Sequence, residues 1–249
     1  MTPHMSAEAA AIPEISVVVP VFNEEAAAPV LAREIAAAFA GRNLELIFID
    51  DASGDGTRLA LLALKPELPG LRVLWHGRNA GQSRALRTGV LAARAAIVVM
   101  LDGDGQNDPA DAPALVQALS RAGATVGLVA GERRQRRDVA ARRLASSLAN
   151  GVRRRLLNDG AADTGCGLKA FRREVLLRLP YFDHMHRYLP ALVLREGFEV
   201  VFLPVGHRPR MGGRSKYTNL GRLAAALPDL GGVLWLRGRA RPTGVVGEG

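Results

Sequence analysis

Apolar runs of strand length alternate with stretches of helical length over the first hundred residues. Ile15-Ser-Val-Val-Val-Pro-Val21 and Leu44-Glu-Leu-Ile-Phe-Ile-Asp50 are rich in β-branched residues and nearly free of polar ones. Between them, Pro29 to Ala40 is alanine-rich and predicts a helix. The pattern repeats with a strand over Leu71 to Trp75, a helix over Ser83 to Ala93 and an unbroken apolar strand over Ala95 to Leu101. A strand with apolar side chains on both faces has to be covered on both faces. Strands and helices taken in turn therefore specify an α/β fold: a Rossmann-like, mostly parallel sheet with helices on both sides. Ligand-binding groups in such folds lie outside the carboxyl ends of the strands.

Polar residues accumulate at those ends. The first strand runs into Asn23-Glu24-Glu25, the second into Asp50-Asp51 and the fourth into Asp102-Gly-Asp104-Gly-Gln106. Three acidic tips are thereby brought to one rim. Further along, a helix is expected over Ala112 to Arg121, a strand over Ala124 to Ala130, and an amphipathic helix with a cationic face over Arg133 to Arg155. The chain divides into a disordered leader (1–13), a catalytic domain (14–220) and an amphipathic helix and tail (221–249), with disorder expected from about Arg237.

Of the 249 residues, 48% are hydrophobic and 23% charged, which excludes wholesale disorder and collagen-like structure. The formal net charge is +9, and only three of the 33 basic residues are lysines. That balance favours anionic partners: nucleic acid, an anionic membrane or phosphorylated small molecules. Cys166 is the single cysteine, so neither an intramolecular disulfide nor a cysteine-rich zinc site is available. Cys166 reads as a buried or loop thiol without chemistry. No stretch approaches the ~20 apolar residues of a membrane span, and Leu223 to Leu236, interrupted by Pro228 and Asp229, reads as an interfacial or buried helix.

Asp102-Gly-Asp104 alone is either a solvated turn or a pair of hard oxygen ligands suited to Mg²⁺ or Mn²⁺ on a diphosphate. Asp50 and Asp51 alone are either pocket residues or caps for a helix starting at Thr57. Taken together and in order, Val19-Pro-Val-Phe-Asn-Glu24, Ile49-Asp-Asp-Ala-Ser-Gly-Asp-Gly-Thr57, Asn79-Ala-Gly-Gln-Ser-Arg-Ala85 and Leu101-Asp-Gly-Asp-Gly-Gln106 resemble the nucleotide-sugar domain of inverting family 2 glycosyltransferases, which have a glycosyltransferase-A-like fold. Asp163-Thr-Gly-Cys-Gly-Leu-Lys-Ala-Phe171, His186-Arg-Tyr-Leu-Pro190 and Arg210-Met-Gly-Gly-Arg-Ser-Lys-Tyr217 are similar to the polyprenyl-phosphate branch, the dolichyl-phosphate mannosyltransferases and undecaprenyl-phosphate sugar transferases.

The resemblance implies that Pro20, Phe22, Glu24, Asp50 and Asp51 line a nucleoside pocket, with Phe22 where the family usually has Tyr. It implies that Asp102, Gly103 and Asp104 meet the ribose and diphosphate, and that Asp104 and Gln106 hold the metal. Asp102, Asp104, Arg210 and Lys216 are then the catalytic set, the last two on a mobile loop over the leaving diphosphate. Arg133, Arg142 and Ser146 would grip the lipid phosphate, although Arg143 and Ser147 have the same spacing. A solvated cationic face is the plainer reading of those arginines, and a basic surface turn that of Arg210 and Lys216.

The implied reaction carries one mannose- or glucose-type sugar from a GDP- or UDP-sugar to a polyprenyl phosphate. The enzyme is expected to be cytoplasmic and peripheral on the inner face of the membrane, bound to anionic lipid and served by a separate membrane partner protein. A hydroxyl acceptor needs a general base and would assign that role to Asp163; an ionised phosphate acceptor needs none. A basic nucleic-acid-binding module is the third reading. The acidic tips and the lack of an aromatic platform argue against it.

Overall fold

The computed structural model describes residues 11–133, 155–210, 219–243 and 245. Seven strands form one mixed sheet in the order β3-β2-β1-β4-β6-β5-β7. They are β1 (Ile15–Val21), β2 (Leu44–Asp50), β3 (Leu71–Trp75), β4 (Ile97–Met100), β5 (Val126–Arg133), β6 (Lys169–Arg172) and β7 (Glu199–Val205). Only β6 runs against its neighbours, antiparallel to β4 and β5. Helices are α1 (Ala27–Ala38), α2 (Thr57–Leu62), α3 (Gln82–Ala92), α4 (Ala112–Arg121), α5 (Arg173–Arg178), α6 (Leu189–Arg195) and α7 (Asn219–Gly238).

Alternation along each strand sends side chains to two separate cores. Val17, Val19, Leu46, Phe48 and Val99 pack with Leu31 and Ile35 of α1 and Leu115 and Leu119 of α4. Val18, Ile47, Ile49, Val98 and Met100 pack with Leu86 and Val90 of α3 and with Leu192 and Val193 of α6. The double coverage read from the sequence is present. Phe48 is fully buried in the first core, a site where truncation to alanine costs about 3–5 kcal/mol.

Differences from the expected elements lie mostly beyond residue 120. The strand expected over Ala124 to Ala130 extends to Arg133, so Arg133 ends a strand instead of opening a helix. The rest of the expected helix falls on residues outside those described. His186 and Arg187 belong to a 3₁₀ turn (Met185–Arg187) that leads into α6. The C-terminal helix continues through Arg237 to Gly238 despite Pro228 within it. Its inner side packs on the domain: Val233 is fully buried, His184 Nδ1 lies 3.1 Å from Asp229, and Arg195 Nε donates to the Leu236 carbonyl. Leu227, Leu234 and Trp235 remain exposed.

A buried polar cluster ties the amino ends of the strands together. The Ser16 hydroxyl donates to Glu45 at 2.7 Å and accepts from the Ala95 amide. Arg94, through its amide and Nε, and Arg72 complete the carboxylate's partners. Burial alone would raise the Glu45 carboxyl; the Ser16, Arg94 and Arg72 contacts outweigh it and hold it below the ordinary carboxylate range. A depressed carboxyl stabilises the fold above its unfolded pKa and loses that contribution as pH falls through the folded one. Glu45→Gln should therefore lower unfolding stability by about 1–3 kcal/mol at pH 7. In chemical denaturation at decreasing pH, the gap from the parent should narrow below about pH 4.

Candidate functional site

The sheet order reverses direction between β1 and β4, since β2 and β3 extend on one side and β6, β5 and β7 on the other. Pairing between β1 and β4 ends at Val18 and Met100, while β1 and β2 stay paired to Val21 and Asp50. Pro20, which has no amide to offer, stands just past the point where β4 leaves. A cleft of about 380 Å³ opens there, lined by Pro20, Phe22, Glu24, Asp51, Asn79, Gln82, Asp102, Gly103, Asp104 and Arg210, among others. It is the crevice expected of an open α/β sheet at its switch point. The three acidic tips converge in it.

Asp51 is nearly buried and tightly held. Its Oδ1 accepts from the Ala80 amide and lies 2.7 Å from His76 Nδ1; its Oδ2 accepts from the Gly81 amide at 2.8 Å. Two backbone amides at the start of α3 thus fix a carboxylate with acceptor capacity to spare for an incoming N–H. Neither Asp50 nor Asp51 caps α2: its first turn has no side-chain cap of that kind, and Asp55 accepts from the Thr57 amide instead. Asp50 does not line the cleft; it accepts from the Ser53 amide and shapes the loop. Asn23 and Ala52, beside these acids, adopt φ of 54° and 62°, a conformation unfavourable for side-chain-bearing residues and concentrated at functional sites.

The Asp-Gly-Asp turn is built by close approach. A Cβ on Gly103 would lie 2.5 Å from the Pro20 carbonyl, and one on Gly167 would lie 2.3 Å from the Asp102 carboxyl carbon. Gln82 Nε2 donates to Asp102 Oδ1 at 2.7 Å. Burial, then the charge of Asp104, push the Asp102 carboxyl up to about 6, against the pull of Lys169, Gln82 and Arg133. Lys169, buried behind this turn, donates to the Cys166 carbonyl, and burial pushes its ammonium pKa down. Cys166 is buried as expected, and burial raises its thiol.

Among the described residues no three His, Cys, Asp or Glu side chains form a ready cation cage. The donor set nevertheless fits a divalent cation shared with a diphosphate, which typically takes only one or two carboxylates from the protein. Asp102 and Asp104 are like charges whose repulsion such a cation would relieve. Asp104 Oδ1 accepts from the Gln106 amide, and the Gln106 side chain lies 3.5 Å from His207 Nε2. His207 is the neighbour that spacing alone missed, because it comes from the far end of β7; burial, with the charge of Arg133, lowers its pKa.

Arg210 crosses the cleft mouth, donating to Glu24 at 2.7 Å and lying 3.8 Å from Asp104. Its Nε is buried without a hydrogen-bond partner among the described residues. Arg133 is turned onto Asp163 in a two-pronged pair, with Nη2 to Oδ1 at 2.7 Å. Lys216, Arg142 and Ser146, with the alternatives Arg143 and Ser147, lie outside the described residues. A second cavity of about 170 Å³ adjoins the cleft across Gln82 and Asp102, and its wall includes Cys166, Lys169, His186 and Arg187.

The family model for glycosyl transferase family 2 matches residues 16–179. A dodecaprenyl-phosphate galacturonate synthase of Rhizobium johnstonii is 35% identical over 236 residues, covering 92% of this chain and 69% of that protein. An undecaprenyl-phosphate 4-deoxy-4-formamido-L-arabinose transferase of Aeromonas hydrophila is 36% identical over 206 residues, covering 82% of this chain and 62% of that protein. The chain thus spans roughly two thirds of the length of such relatives. In fold, it is similar to glucosyl-3-phosphoglycerate synthase from Mycobacterium tuberculosis solved with Mn²⁺, UDP-glucose and glycerol 3-phosphate, with a TM-score of 0.68, 24% identity and coverage of 94% and 83%. It is likewise similar to a mannosyltransferase of Pyrobaculum calidifontis solved with GDP-mannose and Mn²⁺, with a TM-score of 0.62, 25% identity and coverage of 82% and 58%.

Gly167→Ala tests the packing of the Asp-Gly-Asp turn. The added methyl must displace Asp102, so calorimetric titration with UDP or GDP and Mn²⁺ should show affinity reduced about tenfold or more, with circular dichroism unchanged.

Proposed function

Since the chain belongs to glycosyl transferase family 2, we propose that it moves a single sugar, with inversion, from a GDP- or UDP-linked donor to a polyprenyl phosphate. The supporting observation is the cleft at the β1–β4 divergence, where Asp51, the Asp102–Asp104 turn and Arg210 face one space. Phe22 and Pro20 supply an apolar wall for a base, and Asp51 an acceptor for its N–H. Arg210, whose buried Nε has no partner among the described residues, supplies positive charge where a diphosphate accumulates negative charge as the sugar bond breaks. Mg²⁺ or Mn²⁺ held by Asp104 and Gln106 would add Lewis-acid neutralisation of the same leaving group.

The pairing of Asp163 supports a phosphate acceptor. Both of its oxygens are engaged by Arg133, so taking up a proton as a general base would cost a part-buried ion pair. A phosphomonoester with a second pKa near 6 is already mostly ionised at neutral pH and can attack without one. The mannose- or glucose-type sugar inferred above stays within this proposal, beside the galacturonate and formamido-arabinose that the relatives' names carry.

We place the reaction at the inner membrane face, with the chain bound peripherally. Among the described residues no helix is long and apolar enough to cross a membrane. The outward side of α7 carries Leu227, Leu234 and Trp235, with Arg239 stacked 5.8 Å from the Trp235 ring centroid. An apolar strip beside Arg239 and Arg241 suits the headgroup region of anionic lipid, at about 1 kcal/mol per arginine, while Arg237 is turned inward onto the Leu157 carbonyl. A separate membrane partner protein belongs to the same proposal.

With a radiolabelled donor panel and undecaprenyl phosphate, product should appear with Mn²⁺ and vanish in excess EDTA. Asp163→Asn should keep kcat within about tenfold of the parent; loss of several orders of magnitude in a folded variant would identify a base and a hydroxyl acceptor. Flotation with phosphatidylglycerol vesicles should succeed at low salt, weaken at high salt and be reduced by the double change Leu234→Ser and Trp235→Ser.

A further inference from the structure

The smaller cavity contains an imidazole that the reaction described so far does not use. His186 is half-buried, and its Nδ1 lies 2.8 Å from the Ser83 hydroxyl, across 103 residues of sequence. Ser83 itself accepts from the His186 backbone amide, and the tautomer assigned is the one in which its hydroxyl donates to Nδ1. The imidazole is then a neutral tautomer with its proton on Nε2. Burial first, and the charge of Arg187 next, lower its pKa to about 3, so it stays neutral at any physiological pH.

The position of this donor follows from consecutive residues of α3. Gln82 fixes Asp102 and Ser83 fixes His186, so the two residues that separate the cavities share one rigid support. The turn bearing His186 is held from the other side by His184, whose φ is 62° and whose ring meets Asp229 of α7. Beyond His186 is a mostly apolar pocket of about 20 Å³ among Leu86, Val90, Met100, Leu176 and Leu189. His186 borders that pocket as well as the polar cavity. Its ring is therefore both a hydrogen-bond donor and a partition.

We propose that the 170 Å³ cavity is the subsite for the transferred sugar and that His186 is its specificity-determining residue, donating from Nε2 to a sugar oxygen. This deepens the nucleotide-sugar reading above and rests on it, because the cavity opens from the nucleotide cleft at Asp102. A donor matched to one oxygen discriminates strongly, since a sugar lacking that oxygen leaves it unpaired.

The test is calorimetric binding of UDP, GDP, UDP-glucose, UDP-galacturonic acid and GDP-mannose with Mn²⁺, to the full chain and to His186→Ala, His186→Gln and Ser83→Ala. Expected for His186→Ala is nucleoside diphosphate affinity within twofold of the parent. Affinity for the best-bound nucleotide sugar should fall about tenfold to a hundredfold, with the ranking of donors flattened. His186→Gln, whose amide can donate from nearly the same place, should recover most of the loss, and Ser83→Ala should show a smaller, sugar-dependent loss. Equal losses for nucleotide and nucleotide sugar, or no sugar-dependent loss, would overturn the subsite. If His186→Ala does not fold, Ser83→Ala decides by the same criterion. A parent protein that binds donor with these dependences yet transfers nothing to undecaprenyl phosphate would overturn the acceptor assignment and leave the subsite standing.

Discussion

Everything at the site depends on two adjacent strands parting. β1 and β4 are hydrogen-bonded only as far as Val18 and Met100, and the backbone beyond that point has to find other partners or line a cavity. Pro20 removes one donor from the account, and the Leu101 amide reaches back to the Val18 carbonyl. The turn that follows is pressed so near to β1 that only glycine fits at 103. The cleft is thus a seam where the sheet stops being a sheet, bounded by backbone that cannot readily shift.

That rigidity is turned to electrostatic use. Acidic side chains at strand ends would repel one another if left alone, and each is fixed by a partner of different chemistry. Asp51 has amides and His76, Asp102 has Gln82 with Lys169 behind, and Glu24 has Arg210. Under the proposed reaction, a metal-bound diphosphate would meet charges already in place, so little reorganisation would be required when the leaving group departs.

The first half of this arrangement was legible in the sequence because its signals are local. Unbroken apolar strands state their double burial, and Asp51, Asp102 and Asp104 follow directly at their ends. What was not legible depends on distant pairing. β6 is four residues long, Lys-Ala-Phe-Arg, and nothing in its periodicity announces a strand, yet it supplies Lys169 and, beside it, Gly167. His207 and His186 reach the centre through β7 and a 3₁₀ turn, and no spacing rule relates them to Asp104 or Ser83. Arg133 was assigned to a cationic helix because the arginines after it dominate the pattern; strand pairing of β5 with β7 claimed it instead. Asp50 looked like Asp51's equal, but alternation at a strand end sends neighbours to opposite sides, and only one faces the cleft.

The reversed strand β6 also sets an order of assembly. The strands of the β3-β2-β1-β4 half are all present in the chain by Met100, whereas Met100 meets Lys169 only after the intervening segment has been made and drawn together. A chain emerging from the ribosome can therefore complete its nucleotide-facing wall before residue 169 exists to stand behind Asp102. The burial of that carboxylate is deferred until the compensating lysine arrives with the later-made half of the core.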